Sequence, residues 1–109
     1  LTSETRHLID EVHLSMMKPS AAIINTARGA LIDEQALIAA LQNKQIAKAA
    51  LDVQEEEPMR EDNPLYTMPN VIITPHMGWR GLETRQRLLQ LVSANIEAYM
   101  EGTVINRVV

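Results

Sequence analysis

Three short apolar segments, each running directly into a polar or turn-forming loop, constrain this chain more than any other feature of its sequence. Residues 21–27 (Ala-Ala-Ile-Ile-Asn-Thr-Ala) lead into Arg28-Gly29. Residues 47–53 (Ala-Lys-Ala-Ala-Leu-Asp-Val) lead into Gln54 and the acidic run Glu55-Glu56-Glu57-Pro58. Residues 71–74 (Val-Ile-Ile-Thr) lead into Pro75-His76-Met77-Gly78-Trp79. Helical patterns lie between and after them. Strands alternating with helices predict an α/β fold with three parallel strands, side by side in sequence order, joined by right-handed crossovers. All carboxyl ends of such a sheet lie on one edge, and that edge is where open α/β folds bind ligands. The Arg28 guanidinium, the Asp52 and Glu57 carboxylates and the His76 imidazole are therefore expected to meet there.

The helical segments carry their own start and stop signals. Residues 3–16 read as a first helix, with Leu8, Ile9, Val12 and Met16 at helical spacing and Ser3 or Thr5 as its cap. Lys18-Pro19-Ser20 ends it, because proline cannot continue a helix interior. Asp33 reads as the N-cap of a second helix whose apolar face is Ala36, Leu37, Ala40 and Leu41, stopping near Asn43. Residues 54–70, with Pro58, Pro64 and Pro69, read as a long loop, and loops of that length in compact domains are often functional. A third helix is expected over residues 82–100, with Leu88, Leu91, Val92, Ile96 and Tyr99 as its buried stripe and Gly102 at C′. An apolar tail occupies residues 103–109.

Composition narrows the function classes. With 109 residues the chain has the length of one domain at most, and a core without Phe must be built from Ala, Val, Leu, Ile and six Met. A net charge of −4 without a basic tract argues against nucleic acid as a partner. No apolar run has the length of a membrane span, and no signal-peptide pattern opens the chain. The lack of Cys removes disulfide and thiol chemistry and fits a cytoplasmic protein. His7 and His13 are off the common metal spacing and read as surface or capping residues of the first helix. Contiguous glutamates cannot all converge on one ion, so no metal site is expected. The four glycines, at 29, 78, 81 and 102, do not form G-x-G-x-x-G, the turn that receives a dinucleotide pyrophosphate.

Taken together, the segments resemble the C-terminal portion of the D-isomer-specific 2-hydroxyacid dehydrogenases. The resemblance runs in order through Leu1-Thr2-x-x-Thr5-x-x-Leu8-Ile9, Met17-Lys18-Pro19, Ile24-Asn25-Thr26-Ala27-Arg28-Gly29 and Leu31-Ile32-Asp33-Glu34. It continues through Ala49-Ala50-Leu51-Asp52-Val53, Glu57-Pro58, residues 70–76, Asn95-Ile96, Gly102 and Asn106. Gly78-Trp79 resembles the glycerate dehydrogenase and hydroxypyruvate reductase branch. What this implies is the C-terminal half of a Rossmann-type NAD(P)-binding domain, with a C-terminal helix and tail. The phosphate-binding half and the substrate domain would lie outside residues 1–109. The start at Leu1 rather than Met fits such a fragment, which by itself is expected to be inactive.

The resemblance also assigns roles. Arg28 matches the arginine that binds the carboxylate and oxo group of a small 2-oxo acid, for which a planar fork suits better than an ammonium. His76 matches the general acid/base that delivers a proton as hydride reaches carbon. Glu57 matches the carboxylate paired with that histidine. Asp52 matches the contact to the nicotinamide carboxamide of NAD or NADP, and Thr26, Ala27, Gly78 and Trp79 match backbone lining the cofactor. Glu55 and Glu56 match no catalytic position and read as solvated. Gln54 departs from the aromatic or aliphatic residue frequent in the family. Each residue also has a plainer reading: a surface ion pair for Arg28, a structural histidine for His76, a turn aspartate for Asp52, a solvated loop for the glutamates. For the intact protein the resemblance implies a homodimeric oxidoreductase. A non-catalytic, NAD-responsive corepressor of the same fold and a half-domain acting only in assembly are the other readings.

Overall fold

A computed structural model describes residues 1–108; Val109, the last residue of the expected tail, lies outside the described residues. The chain divides into two compact units, residues 1–77 and the segment from Gly78 onward.

In the first unit, β1 (Ala22–Asn25), β2 (Lys48–Leu51) and β3 (Val71–Ile73) form one sheet in the order β1-β2-β3. Both pairings are parallel, with Ile24 opposite Ala50 and Ala50 opposite Ile72. The strands thus lie in the order and direction that the strand–helix alternation requires, each a little shorter than its apolar segment. Side chains alternate across the pleat. Ile23, Ala49, Leu51, Val71 and Ile73 join a core with Leu14, Leu37, Ile38, Leu41, Ile46 and Leu65. Ile24 and Ile72, at the same level on the other face, are 71% and 67% exposed.

Two helices accompany this sheet, α1 (Glu11–Ser15) and α2 (Glu34–Gln42). Asp33 caps α2 as its sequence position indicates, its Oδ1 accepting from the Ala36 N–H at 3.0 Å. The buried face of α2 is Leu37, Ile38, Ala40 and Leu41, with the expected Ala36 half-buried against the same core and Ile38 an addition to the expected stripe. The first helix is much shorter than residues 3–16. His7 takes a left-handed backbone, φ 52°, and Ile9 is drawn into a parallel bridge with Ile32. Ile9 N–H donates to Leu31 O, and Asp33 N–H donates to Ile9 O, both at 2.9 Å. That pairing takes Ile9 out of any helix, so α1 starts only after Asp10, whose side chain caps it by accepting from His13 N–H. Leu8, Val12 and Met16 are exposed, and Leu14 is the residue α1 buries.

The 54–70 segment is anchored rather than loose. A short 3-10 helix, Pro64–Thr67, starts under an Asn63 side-chain cap, and Met59 and Leu65 insert into the core. In the second unit, α3 spans Leu82–Met100 and ends at Gly102 with φ 74°, the C′ position expected. Its apolar stripe is not buried: Leu88, Leu91, Val92, Ile96 and Tyr99 are all exposed. Helical periodicity reports an apolar face; burial requires an element that covers it. No helix among the described residues is long and apolar enough to cross a membrane.

The asymmetry of the sheet gives a direct test. Leu37→Ala should destabilise the chain by about 2–5 kcal/mol, the range for a truncated core leucine. Ile72→Ala should cost less than about 0.5 kcal/mol, as for an exposed position. Urea denaturation of the two variants checks the assignment of faces.

Candidate active site

The loops leaving β1, β2 and β3 emerge at the same edge of the sheet, and each carries part of the constellation expected from the sequence. At the end of β1, Asn25 is buried. Its Oδ1 accepts from Ala27 N–H at 3.1 Å, and its Nδ2 donates to Arg28 O at 2.8 Å. This asparagine-centred turn reverses the chain and leaves Thr26, Ala27 and Arg28 exposed. The Arg28 guanidinium donates to the Ala27 carbonyl at 2.7 Å.

The next residue fixes how close the first two loops come. A Cβ on Gly29 would lie 1.8 Å from the Gln54 carbonyl oxygen and 1.9 Å from its carbon. Only glycine lets the loop after β1 rest on the peptide after β2. From there the second loop turns back on itself. Gln54 N–H donates to Glu57 Oε1 at 3.0 Å, while Glu57 Oε2 accepts from His76 Nδ1 at 2.7 Å. The two glutamate oxygens thus have separate tasks, one closing the loop and the other holding the imidazole. His76 itself has a left-handed backbone, φ 48°, and its N–H donates to Thr74 O. These bonds, together with the charges of His76 and Arg28, hold the Glu57 carboxyl below the ordinary carboxylate range against a smaller opposing effect of burial. Beside the pair opens a cleft of about 570 Å³, lined by Met59, Leu65, Tyr66 and Pro75 together with Gln54, Glu57 and His76. Among the described residues, the buried Gln54 Nε2 has no hydrogen-bond partner.

Asp52 is buried at the end of β2. Its Oδ1 accepts from the Thr74 hydroxyl and from Met77 N–H at 2.9 Å. It therefore secures the loop after β3, bracketing His76 from both sides in sequence. Gly78 and Trp79 belong to the second unit, where the Arg85 guanidinium lies 5.6 Å from the Trp79 ring centroid.

Two expectations need correcting. Glu55 is not a solvated carboxylate: its side chain is 24% exposed and bonded to both Arg6 and His7, the latter at 2.8 Å. Nor does His7 lie on a helix; it sits in the turn before Ile9. Asn25, Gly29, Glu55 and Thr74 are the site-shaping residues that spacing did not assign. Gly29 and Asn25 stand within the Asn-x-x-Arg-Gly segment, and Glu55 within the acidic run, but their partners are distant in sequence.

An open parallel α/β sheet with polar side chains gathered at its carboxyl edge defines the class of α/β folds that bind ligands there. Within it, the family model of the D-isomer specific 2-hydroxyacid dehydrogenase NAD binding domain matches residues 1–78, and the chain belongs to that family. It is 46% identical over 104 residues to a glyoxylate reductase of Aeropyrum pernix, covering 95% of this chain and 31% of that enzyme. It is 47% identical over 104 residues to a glyoxylate/hydroxypyruvate reductase B of Enterobacter agglomerans, covering 95% and 32%. The chain thus spans about a third of the length of these relatives. Among solved structures, an acyclic imino acid reductase in complex with NADPH and D-Arg matches with a TM-score of 0.91 and 37% identity, over all of this chain and 34% of that one.

Two outcomes follow from this geometry. Gly29→Ala should destabilise the chain by at least about 1–3 kcal/mol, since the methyl meets backbone that cannot step aside; thermal and urea unfolding measure it. Carboxyl NMR should place the Glu57 titration midpoint below the ordinary glutamate range. Because folding lowers this pKa, the stabilisation is present above the unfolded value and disappears as pH falls through the folded one. His76→Ala should move the midpoint back up.

Proposed function

We propose that this chain carries the acid/base and substrate-anchoring half of an NAD(P)-dependent enzyme that reversibly reduces a small 2-oxo acid to the D-2-hydroxy acid. The observation that carries the reading is the 2.7 Å bond from His76 Nδ1 to Glu57 at the sheet edge where Arg28 also stands. The names of the relatives make glyoxylate and hydroxypyruvate the substrates to try first.

When bound, NAD(P)H supplies the hydride. The residues present fit only its nicotinamide end: Thr26 and Ala27 offer exposed backbone at the carboxyl end of β1, and Asp52 fixes the facing loop. Nothing in the sequence fits the pyrophosphate, for which the family's fold uses a glycine-rich turn at a helix N-terminus. Arg28 pairs with the substrate carboxylate through its planar fork and orients the oxo group. With Nδ1 committed to Glu57, His76 passes its proton from Nε2 to the carbonyl oxygen, and recovers it in the oxidative direction. Glu57 keeps the ring aligned through its 2.7 Å bond with Nδ1.

Retention of Arg28, Glu57 and His76 in one edge cluster supports an enzyme over a corepressor. A cytoplasmic location rests on the lack of cysteine, and a homodimer and the glycerate dehydrogenase branch rest on the sequence resemblance.

In the intact enzyme, His76→Ala should lower kcat by roughly 100- to 10,000-fold, the usual worth of a general acid/base. Arg28→Lys should raise KM for the 2-oxo acid and lower kcat, because the bidentate fork is lost. Steady-state kinetics with glyoxylate and hydroxypyruvate test both, and unchanged constants in the two variants would place the chemistry elsewhere.

A further inference from the structure

Glu57 is held to His76 by a loop, so what fixes that loop matters as much as the pair itself. Residues 54–57 are clamped at three points. The Gln54 peptide rests on Gly29. Glu57 folds back on Gln54 N–H. Between these, Glu55 points to the other side of the loop, into a charged cluster drawn from two distant segments. Its Oε1 accepts from the Arg6 guanidinium and from His7 Nε2. Its Oε2 lies 3.5 Å from the Glu34 N–H at the start of α2, and its own N–H donates to Glu34 Oε2 at 3.4 Å. Glu34 in turn accepts from Asn63 Nδ2 at 2.7 Å, and His7 Nδ1 stands 3.7 Å from Asp33.

We infer that Glu55 is a positioning residue, whose bonds to Arg6, His7 and the first turn of α2 set the 54–57 loop so that Glu57 meets His76. The inference rests on the proposed function for its catalytic meaning, though not for its geometry. Two features distinguish it from an ordinary surface ion pair. Exposed pairs contribute little because long side chains must be ordered for one contact. Here one carboxylate joins several donors from segments some 20 and 48 residues away, and its own backbone N–H is part of the arrangement. Burial acts to raise the Glu55 pKa, yet the bonds to His7 and Glu34 and the charges of His7 and Arg6 outweigh it and keep the carboxyl below its ordinary range. Arg6 and His7 precede β1, and Glu55 joins both side chains to the loop that carries Glu57, while His7 N–H separately donates to Ala30 O at 2.8 Å.

The first experiment needs no turnover. In the 109-residue chain, the Glu57 carboxyl titration is followed by NMR in the wild type, Glu55→Ala and Arg6→Ala, with His76 and Arg28 unchanged as the groups facing Glu57. Glu55→Ala should raise the midpoint toward the ordinary carboxylate range as the loop loosens, and Arg6→Ala should raise it less. An unchanged midpoint in both folded variants overturns the inference; should Glu55→Ala fail to fold, Arg6→Ala, altering a half-exposed side chain, decides alone. The second experiment is a double-mutant cycle in the intact enzyme. Glu55→Ala should lower kcat about ten- to hundredfold with little change in KM, the scale of a misplaced group. The same substitution should cost nothing further in a Glu57→Gln background. Equal losses in both backgrounds would show a merely structural role and overturn the inference. If the wild type reduces no 2-oxo acid while the titration shifts as expected, the functional reading fails and the positioning role stands.

Discussion

Parallel pairing of β1, β2 and β3 in sequence order obliges the chain to leave the sheet three times at the same edge, and everything at the site depends on that. A single antiparallel strand would send one of the three loops to the opposite edge and separate the imidazole from its carboxylate. The pairing is supported by a core on one face only, where Leu37, Ile46, Leu51 and Leu65 exclude water. Short strands suffice because each continues into a fixed loop: Asn25 closes the turn after β1 on Arg28, Gly29 rests on Gln54, and Asp52 holds Thr74 and Met77.

These ties divide the polar residues into two kinds. Asn25 and Asp52 are buried and bond largely to backbone, which is how a polar group is kept inside without a heavy desolvation cost. Glu57 and His76 remain partly open to solvent, their mutual bond accounting for one oxygen and one ring nitrogen. The first kind shapes the loops; the second joins the loop after β2 to the loop after β3, with the other Glu57 oxygen taken by Gln54 N–H. Glu55 stands between them, partly shielded and bonded to residues that precede the whole sheet.

Much of this was legible from residue order. Apolar segments of strand length, separated by helical patterns, specify parallel strands because only crossovers can join them. Asp33 before α2 and Gly102 after α3 are local signals read at local distance, and both hold. The edge residues Arg28, Asp52, Glu57 and His76 could be named because each lies in a segment that leaves a strand, and the family resemblance matched them to roles. The first helix misleads for an equally physical reason. Leu8, Ile9, Val12 and Met16 have helical spacing, but bonds from Ile9 to Leu31 and Asp33 outcompete the helix that propensity alone would favour.

What the sequence by itself determined is the alternation of elements, and with it the fold class and the family of residues brought to one edge, since strand direction and loop position follow from periodicity and chain connectivity. Only the tertiary structure decided which apolar stripes are covered, which carboxylate is tethered and how closely two loops meet. The stripe of α3 is exposed although its period is that of a buried face, Glu55 is bound although it opens a run of three glutamates, and Gly29 is required because of a peptide 25 residues away. Each depends on an atom supplied by a distant part of the chain. Periodicity describes how a segment relates to itself, whereas burial, ion pairing and steric contact are relations between segments.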